Sequence, residues 1–139
     1  MVSPATALRR KDAESEKITI NLGYVDLGQI DLLVQEGFYS NRTDFIRTAI
    51  RNQLGSQGDV LKQTVARRAL VLGLQRYTRQ QLERVRATGE QLHIQVVGVA
   101  TIDDDVPVQL ARQVIASIAV LGALRASAEV KAALADRLS

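Results

Sequence analysis

Lys17, Thr19 and Asn21 are the residues whose types and spacing could do chemistry in this 139-residue chain. They recur at every second position, with Ile18, Ile20 and Leu22 between them. In an extended segment that alternation puts an ammonium, a hydroxyl and a carboxamide on one face and an apolar stripe on the other. A second polar group, Ser40-Asn41-Arg42-Thr43, follows about 20 residues later and opens a helix. These groups form hydrogen bonds but include no nucleophile–base pair. A short strand with a polar outer face, followed by two short helices, suits reading of a DNA groove and points away from an enzyme.

Composition narrows the chemistry further. The absence of cysteine excludes disulfides, thiolate metal sites and a cysteine nucleophile. His93 is the sole histidine, so one chain cannot build a multi-histidine metal site. Gly98 and Gly122 do not form a phosphate-cradling run. Asp103-Asp104-Asp105 could suggest a hard-cation site. A helix start explains it better, with Asp104 or Asp105 as cap and Pro107 in the first turn. No catalytic residue, metal or cofactor is expected. No apolar run reaches about 18 residues and no apolar signal core opens the chain, so a soluble cytoplasmic protein is expected.

Hydrophobic residues make up 46 %, enough for a real core, but aromatics only 4 %, so packing must rely on aliphatic side chains. The net charge of +3 is unevenly spread. Residues 1–55 balance seven basic against seven acidic residues; residues 56–90 carry seven against three, or +4; residues 91–139 carry four against five, or −1. Arg67, Arg68, Arg76, Arg79, Arg84 and Arg86 supply the basic middle. They read either as a solvated face or as secondary contacts with DNA backbone.

The elements that must position the polar groups follow from periodicity. Residues 1–15 read as a flexible arm whose Arg9-Arg10-Lys11 is either a solvated tail or a DNA-phosphate contact. Lys17–Leu22 reads as a strand. Asp26 is expected to cap a helix over 27–36, with Ile30, Leu33 and Val34 on its apolar side and Gly37 as a left-handed terminator. Asn41 is expected to cap a second helix, with Asp44 three residues on, burying Phe45, Ile46, Ala49, Ile50 and Leu54 and closing at Gly55. About 40 residues rarely fold alone, and the strand has no partner within residues 1–55. Two copies pairing their strands antiparallel would supply it, which makes a homodimer the simplest solution.

The alternating Lys17–Leu22 strand, Gly37 between the helices, and Ser40-Asn41-Arg42-Thr43-Asp44-Phe45-Ile46-Arg47 with Ala49-Ile50-Arg51 resemble the ribbon-helix-helix DNA-binding fold. That is the class of the CopG, Arc and MetJ repressors, and the resemblance covers about residues 16–54. It implies a two-stranded ribbon, one strand from each subunit, lying in the major groove. Lys17, Thr19 and Asn21 would then face base edges. The second helix would point its N-terminus at a phosphate, with Asn41, Arg42 and Thr43 as the contacts. Arg47 and Arg51 are expected to solvate the outer face of that helix. Nickel-responsive members carry several histidines in a sensor domain; this chain, with His93 alone, departs from them.

Residues 59–139 show an internal repeat. Ile94–Ile102 aligns with Ile118–Ala126 at an offset of 24, each followed by an acidic residue and valine and then by Leu110-Ala111 or Leu134-Ala135. Val71-Leu72-Gly73-Leu74, before a helix from Arg79 to Ala87 capped by Thr78, is a fainter copy. Three β-α units with parallel strands are expected, joined to the first half by a linker at Gly55-Ser56-Gln57-Gly58, with Asp59 capping the next helix. Their strands, apolar on both faces, are expected to be covered on both. Exposed sheet edges point to an oligomerisation module; a closed domain that stabilises the dimer and a small-molecule sensor are the other readings.

The whole is expected to be α+β: an N-terminal ribbon-helix-helix domain (16–55) and a C-terminal α/β region of about three β-α repeats (59–139). The expected function is a sequence-specific transcriptional regulator, a repressor by steric occlusion. It would bind double-stranded operator DNA as a dimer through the strand, and assemble further through residues 59–139. Two alternatives are an antitoxin that autoregulates its operon and an architectural DNA-binding protein that assembles through its C-terminal domain.

Overall fold

The structure, a computed structural model, describes residues 15–139. The arm residues Arg9, Arg10 and Lys11 lie outside the described residues. The chain divides into two compact units, residues 1–55 and 56–139.

In the first unit, helix α1 spans Tyr24–Gln35, starting three residues earlier than Asp26 would allow as its cap. Gly23 is the N-cap, and Asp26 sits in the first turn, where a carboxylate complements the positive end of the helix. At the other end Gly37 takes φ +84°, which its missing Cβ permits. Phe38 N–H donates to Leu33 O (3.0 Å) and Gly37 N–H to Val34 O (3.1 Å), a Schellman closure that satisfies the last carbonyls. Helix α2 spans Arg42–Ser56 and runs through Gly55 instead of stopping there. Asn41 Oδ1 accepts from Asp44 N–H (2.7 Å), and Asp44 Oδ2 accepts from Ser40 N–H (2.9 Å). This is the expected capping pair with its return bond shifted one residue outward.

The unit is thinly packed. Among its described residues only Ile30 is buried. Phe45 and Ile46 are half-buried, with the Phe45 ring edge-to-face with Tyr39 at 5.0 Å, while Ala49, Ile50 and Leu54 remain exposed. Residues 15–23 have no regular secondary structure. A strand needs a neighbour for its N–H and C=O groups, and no strand among the described residues pairs with Lys17–Leu22.

The second unit begins with α3 (Gly58–Arg67), capped by Gln57 with Asp59 in its first turn. Then β1 (Val71–Tyr77), α4 (Arg79–Thr88), β2 (Leu92–Ile102), α5 (Val108–Val114), β3 (Ile115–Arg125) and α6 (Ala128–Ala133) alternate, with a 3-10 turn at Ala135–Arg137. The three β-α units of the sequence repeat are present, and the sheet is parallel in the order β1-β2-β3. Thr78 caps α4 in a full capping box with Gln81. The start of α5 differs from expectation: Asp103 and Val106 form a turn, and Pro107, whose ring presets its φ, is itself the N-cap.

Leu82 of α4, Leu110, Ala111 and Val114 of α5, and Val130 with Leu134 beside α6 pack on Ile94, Val96, Ala100 and Ile102 of β2 and Ile118 of β3. These strand residues alternate, so the helices cover one face of the sheet. The expectation that both faces are covered fails: Leu72, Leu74 and Leu121 lie exposed on the opposite face. Gly73, Gly98 and Gly122 stand in register across the sheet, all with positive φ. A Cβ on Gly98 would come within 2.1 Å of Gly73 O, and one on Gly122 within 2.1 Å of Gly98 O. Only glycine lets the strands close here.

Candidate nucleic-acid interface

The polar groups of the first unit converge around the N-terminus of α2. Helix geometry leaves its first-turn amides without intrahelical acceptors. Asn41 Oδ1 takes that of Asp44, and Phe45 N–H, at 3.2 Å from Asn41 O, begins the regular ladder. An anion meeting this helix end faces the amides of Arg42 and Thr43 and the positive end of the helix dipole.

The Arg42 side chain is placed differently from the sequence expectation. Its Nε and Nη2 donate to the two carboxylate oxygens of Asp31 on α1, at 2.7 and 2.8 Å. Hydrogen bonding by Arg42 holds the Asp31 carboxyl below its ordinary range, and the same bond raises the arginine further. The guanidinium thus fastens α1 to the start of α2, and a phosphate here meets a charge already balanced. Asn41 likewise spends its side-chain oxygen on capping.

Two other arginines stand where the sequence reading placed only solvation. A shallow cleft is lined by Ser40, Asn41, Thr43, Asp44, Arg47 and Arg51. A second is lined by Ser15, Glu16, Lys17 and Arg47. Arg47 belongs to both, and so connects the N-terminus of α2 with the segment that carries Lys17. The signal was available: Thr43, Arg47 and Arg51 recur at intervals of four and share one helix face. Lys17, Thr19 and Asn21 are all exposed, as are Ile18 (71 %), Ile20 (59 %) and Leu22 (41 %) between them.

In the second unit the basic middle is partly neutralised. Arg76 makes a bidentate pair with Asp103 (2.8 Å each), whose carboxyl the arginine's hydrogen bond depresses. Arg79 pairs with Glu83 at 3.0 Å, and Arg86 reaches Gln113 at 3.4 Å. His93 Nδ1 lies 2.7 Å from Ser117 Oγ. Among the described residues, no group of three acidic or imidazole side chains could hold a metal ion. No described helix is long and apolar enough to cross a membrane.

No curated protein and no solved structure matches the chain. A family model does: over residues 13–131, which take in both units, the chain matches the Ribbon-Helix-Helix transcriptional regulator family, and it belongs to that family.

Proposed function

We propose that the protein is a sequence-specific DNA-binding regulator, acting as a repressor by occluding its operator, whose reading head forms only when two copies meet. The observation that carries this is the exposed stripe Ile18, Ile20 and Leu22 above an underpacked helix pair. Antiparallel pairing of two such segments buries the stripe on α1 and α2 of both copies and satisfies the segment's backbone groups. The same pairing presents Lys17, Thr19 and Asn21, twice over, on the outer face of a ribbon that fits the major groove. Lysine donates to guanine acceptors, asparagine can pair bidentately with adenine, and threonine offers its hydroxyl or its methyl to thymine.

The phosphate contact falls to the N-terminus of α2 at Asn41, Arg42 and Thr43, with Arg47 as the cation beside it. Arg42 acts there through its amide and through its hold on Asp31. Residues 71–137 fold as a β-α array, which supports a regulator that assembles through this unit and is unlike the short disordered segment through which an antitoxin usually binds its toxin. The test is fluorescence anisotropy on a selected duplex across a salt series. Asn21→Ala should lose about 1–3 kcal/mol on the preferred site and little on others, whereas Arg47→Ala should weaken all duplexes and flatten the salt slope by about one. Equal binding by wild type and both variants would contradict the proposal.

A further inference from the structure

We propose that the second unit is a self-complementary, open-ended sheet segment: the free edge of β3 in one copy takes the free edge of β1 from the next, parallel and head to tail. The occupant is a second copy of this chain, and the proposal stands whether or not residues 17–22 read DNA.

Both edges are open, but not over equal lengths. β2 and β3 have 11 residues each, while β1 has seven and pairs with β2 over Val71–Tyr77. The outer edge of β3 is occupied near its start: Leu138 bridges Ile118 in parallel, Ser139 N–H donates to Ile118 O at 3.0 Å, and Arg137 Nη1 donates to Ile115 O. Beyond Ile118 no strand among the described residues pairs with that edge. The internal register sets β1 against β2 at an offset of 25 and β2 against β3 at 24. Carried one strand further, residues 120–125 of β3, with Ala126 just past its end, are the ones that match Val71–Tyr77. The stretch left open is therefore the length of the strand that would fill it.

The glycine row gives the same register from separate atoms. Gly98 and Gly122 each press their bare Cα against the carbonyl of the glycine in the preceding strand. Gly73 has the same backbone, φ +126°, yet nothing lies within 4 Å of where its Cβ would be. The carbonyl of Gly122 from a preceding copy is the group that completes the pattern.

Side chains on the bare face agree. Leu72, Val97 and Leu121 form one cross-strand row, with Leu72 71 % and Leu121 53 % exposed at its two ends. Stacking sets Leu121 beside Leu72 of the next copy and makes the row continuous. On the helix side, an apolar cleft of about 340 Å3 lies along β1, lined by Gln75, Tyr77, Leu82, Val85 and Leu92 among others. In the stacked array the α6 layer of the preceding copy would come to lie beside it. One juxtaposition is unfavourable, Arg125 beside Arg76 of the next copy, and Asp103 already balances the latter. Head-to-tail contacts grow into an open array wherever the rotation between copies does not close a ring, and stacked repeats propagate through nearest-neighbour contacts.

The test is sedimentation of the intact protein, without DNA, from about 1 to 100 µM, with circular dichroism confirming that each variant is folded. Wild type should gain mass with concentration beyond the dimer without a plateau. Leu72→Lys and Leu121→Lys, both on exposed positions, should each lower the mass at the highest concentration several-fold, to a dimer plateau. An equal mixture of the two, in which each retains one sound edge, should exceed either alone. Ile20→Asp, which removes the ribbon dimer, should leave the concentration-dependent growth in place, so the two readings fail separately. A wild-type plateau at the dimer would overturn the proposal. So would loss of assembly in Leu72→Lys with none in Leu121→Lys, which marks a closed β1-to-β1 contact, or a mixture no heavier than its components.

Discussion

The two units of this chain solve the problem of burial in opposite ways. The second assembles 13 buried aliphatic residues, drawn from β2, β3, three helices and the turns beside them, into one cluster, with no buried polar side chain left without a partner. The first, with a Schellman closure on α1 and an Asn41 cap on α2, buries Ile30 alone among its described residues. Local signals are therefore as strong in the first unit as in the second; what it lacks is a partner surface. Secondary structure can be complete in a piece of protein whose core is not, which is the basis for proposing that this unit pairs with a second copy. The second unit is complete in its core and incomplete only at its edges.

That contrast can be broken by substitution, and the largest effects are expected where it is sharpest. Ile20→Asp places a carboxylate in the stripe that the proposed dimer would bury. It should abolish the ribbon dimer, so that sedimentation reports only growth through the second unit, and lower DNA affinity more than 100-fold, while the second unit's unfolding transition stays unchanged. Ile94→Ala, in the second unit's core, should do the reverse. It should destabilise that unit by about 2–5 kcal/mol in urea unfolding and leave the dimer's DNA preference intact.

The glycine row allows a finer comparison within one sheet. Gly98→Ala and Gly122→Ala would force a methyl to 2.1 Å from a backbone carbonyl, so both should lower the thermal midpoint of the second unit steeply. Gly73→Ala meets open space within one copy and should cost the folding of that copy only the strain of its positive φ, about 1–3 kcal/mol. The caps come next: Thr78→Ala removes one side of a capping box and should cost about 1 kcal/mol.

The smallest effect concerns pH. The Asp31 carboxyl is depressed in the folded chain by its hydrogen bond from Arg42, so the pair stabilises the fold above the ordinary carboxylate value of 3.8. That contribution is lost only as pH falls through the lower folded value. An NMR titration should show Asp31 titrating below 3.8 in the wild type and close to that value in Arg42→Ala.

Much of this architecture is legible in the sequence, because local rules govern it. Gly37, Asn41 with Asp44, and Thr78 mark helix ends through their own backbone and side-chain chemistry, and the 24-residue offset exposes the strands before any contact is known. Boundaries fail where two signals compete. Asp26 and Asp59 look like caps but lie inside first turns, and Gly55 fails to stop a helix with no competing terminator beside it. The single-sided sheet was hidden because an apolar strand face looks the same in sequence whether a helix or solvent meets it. Around the proposed DNA contact, the identity of the polar residues could be read, but their commitments could not. Arg42 looks free until Asp31, 11 residues away, is seen to hold it, and Arg47 looks peripheral until it is seen beside Lys17.

The central claim is that the polar face of residues 17–21 reads DNA from a ribbon that two copies build. Selection of bound duplexes from a random library by the purified protein tests it most directly. The account predicts enrichment of a short inverted repeat by the wild type, a changed motif for Asn21→Ala, and no enriched motif for Ile20→Asp. An enriched motif that survives the combined Lys17→Ala, Thr19→Ala and Asn21→Ala substitutions unchanged would contradict it.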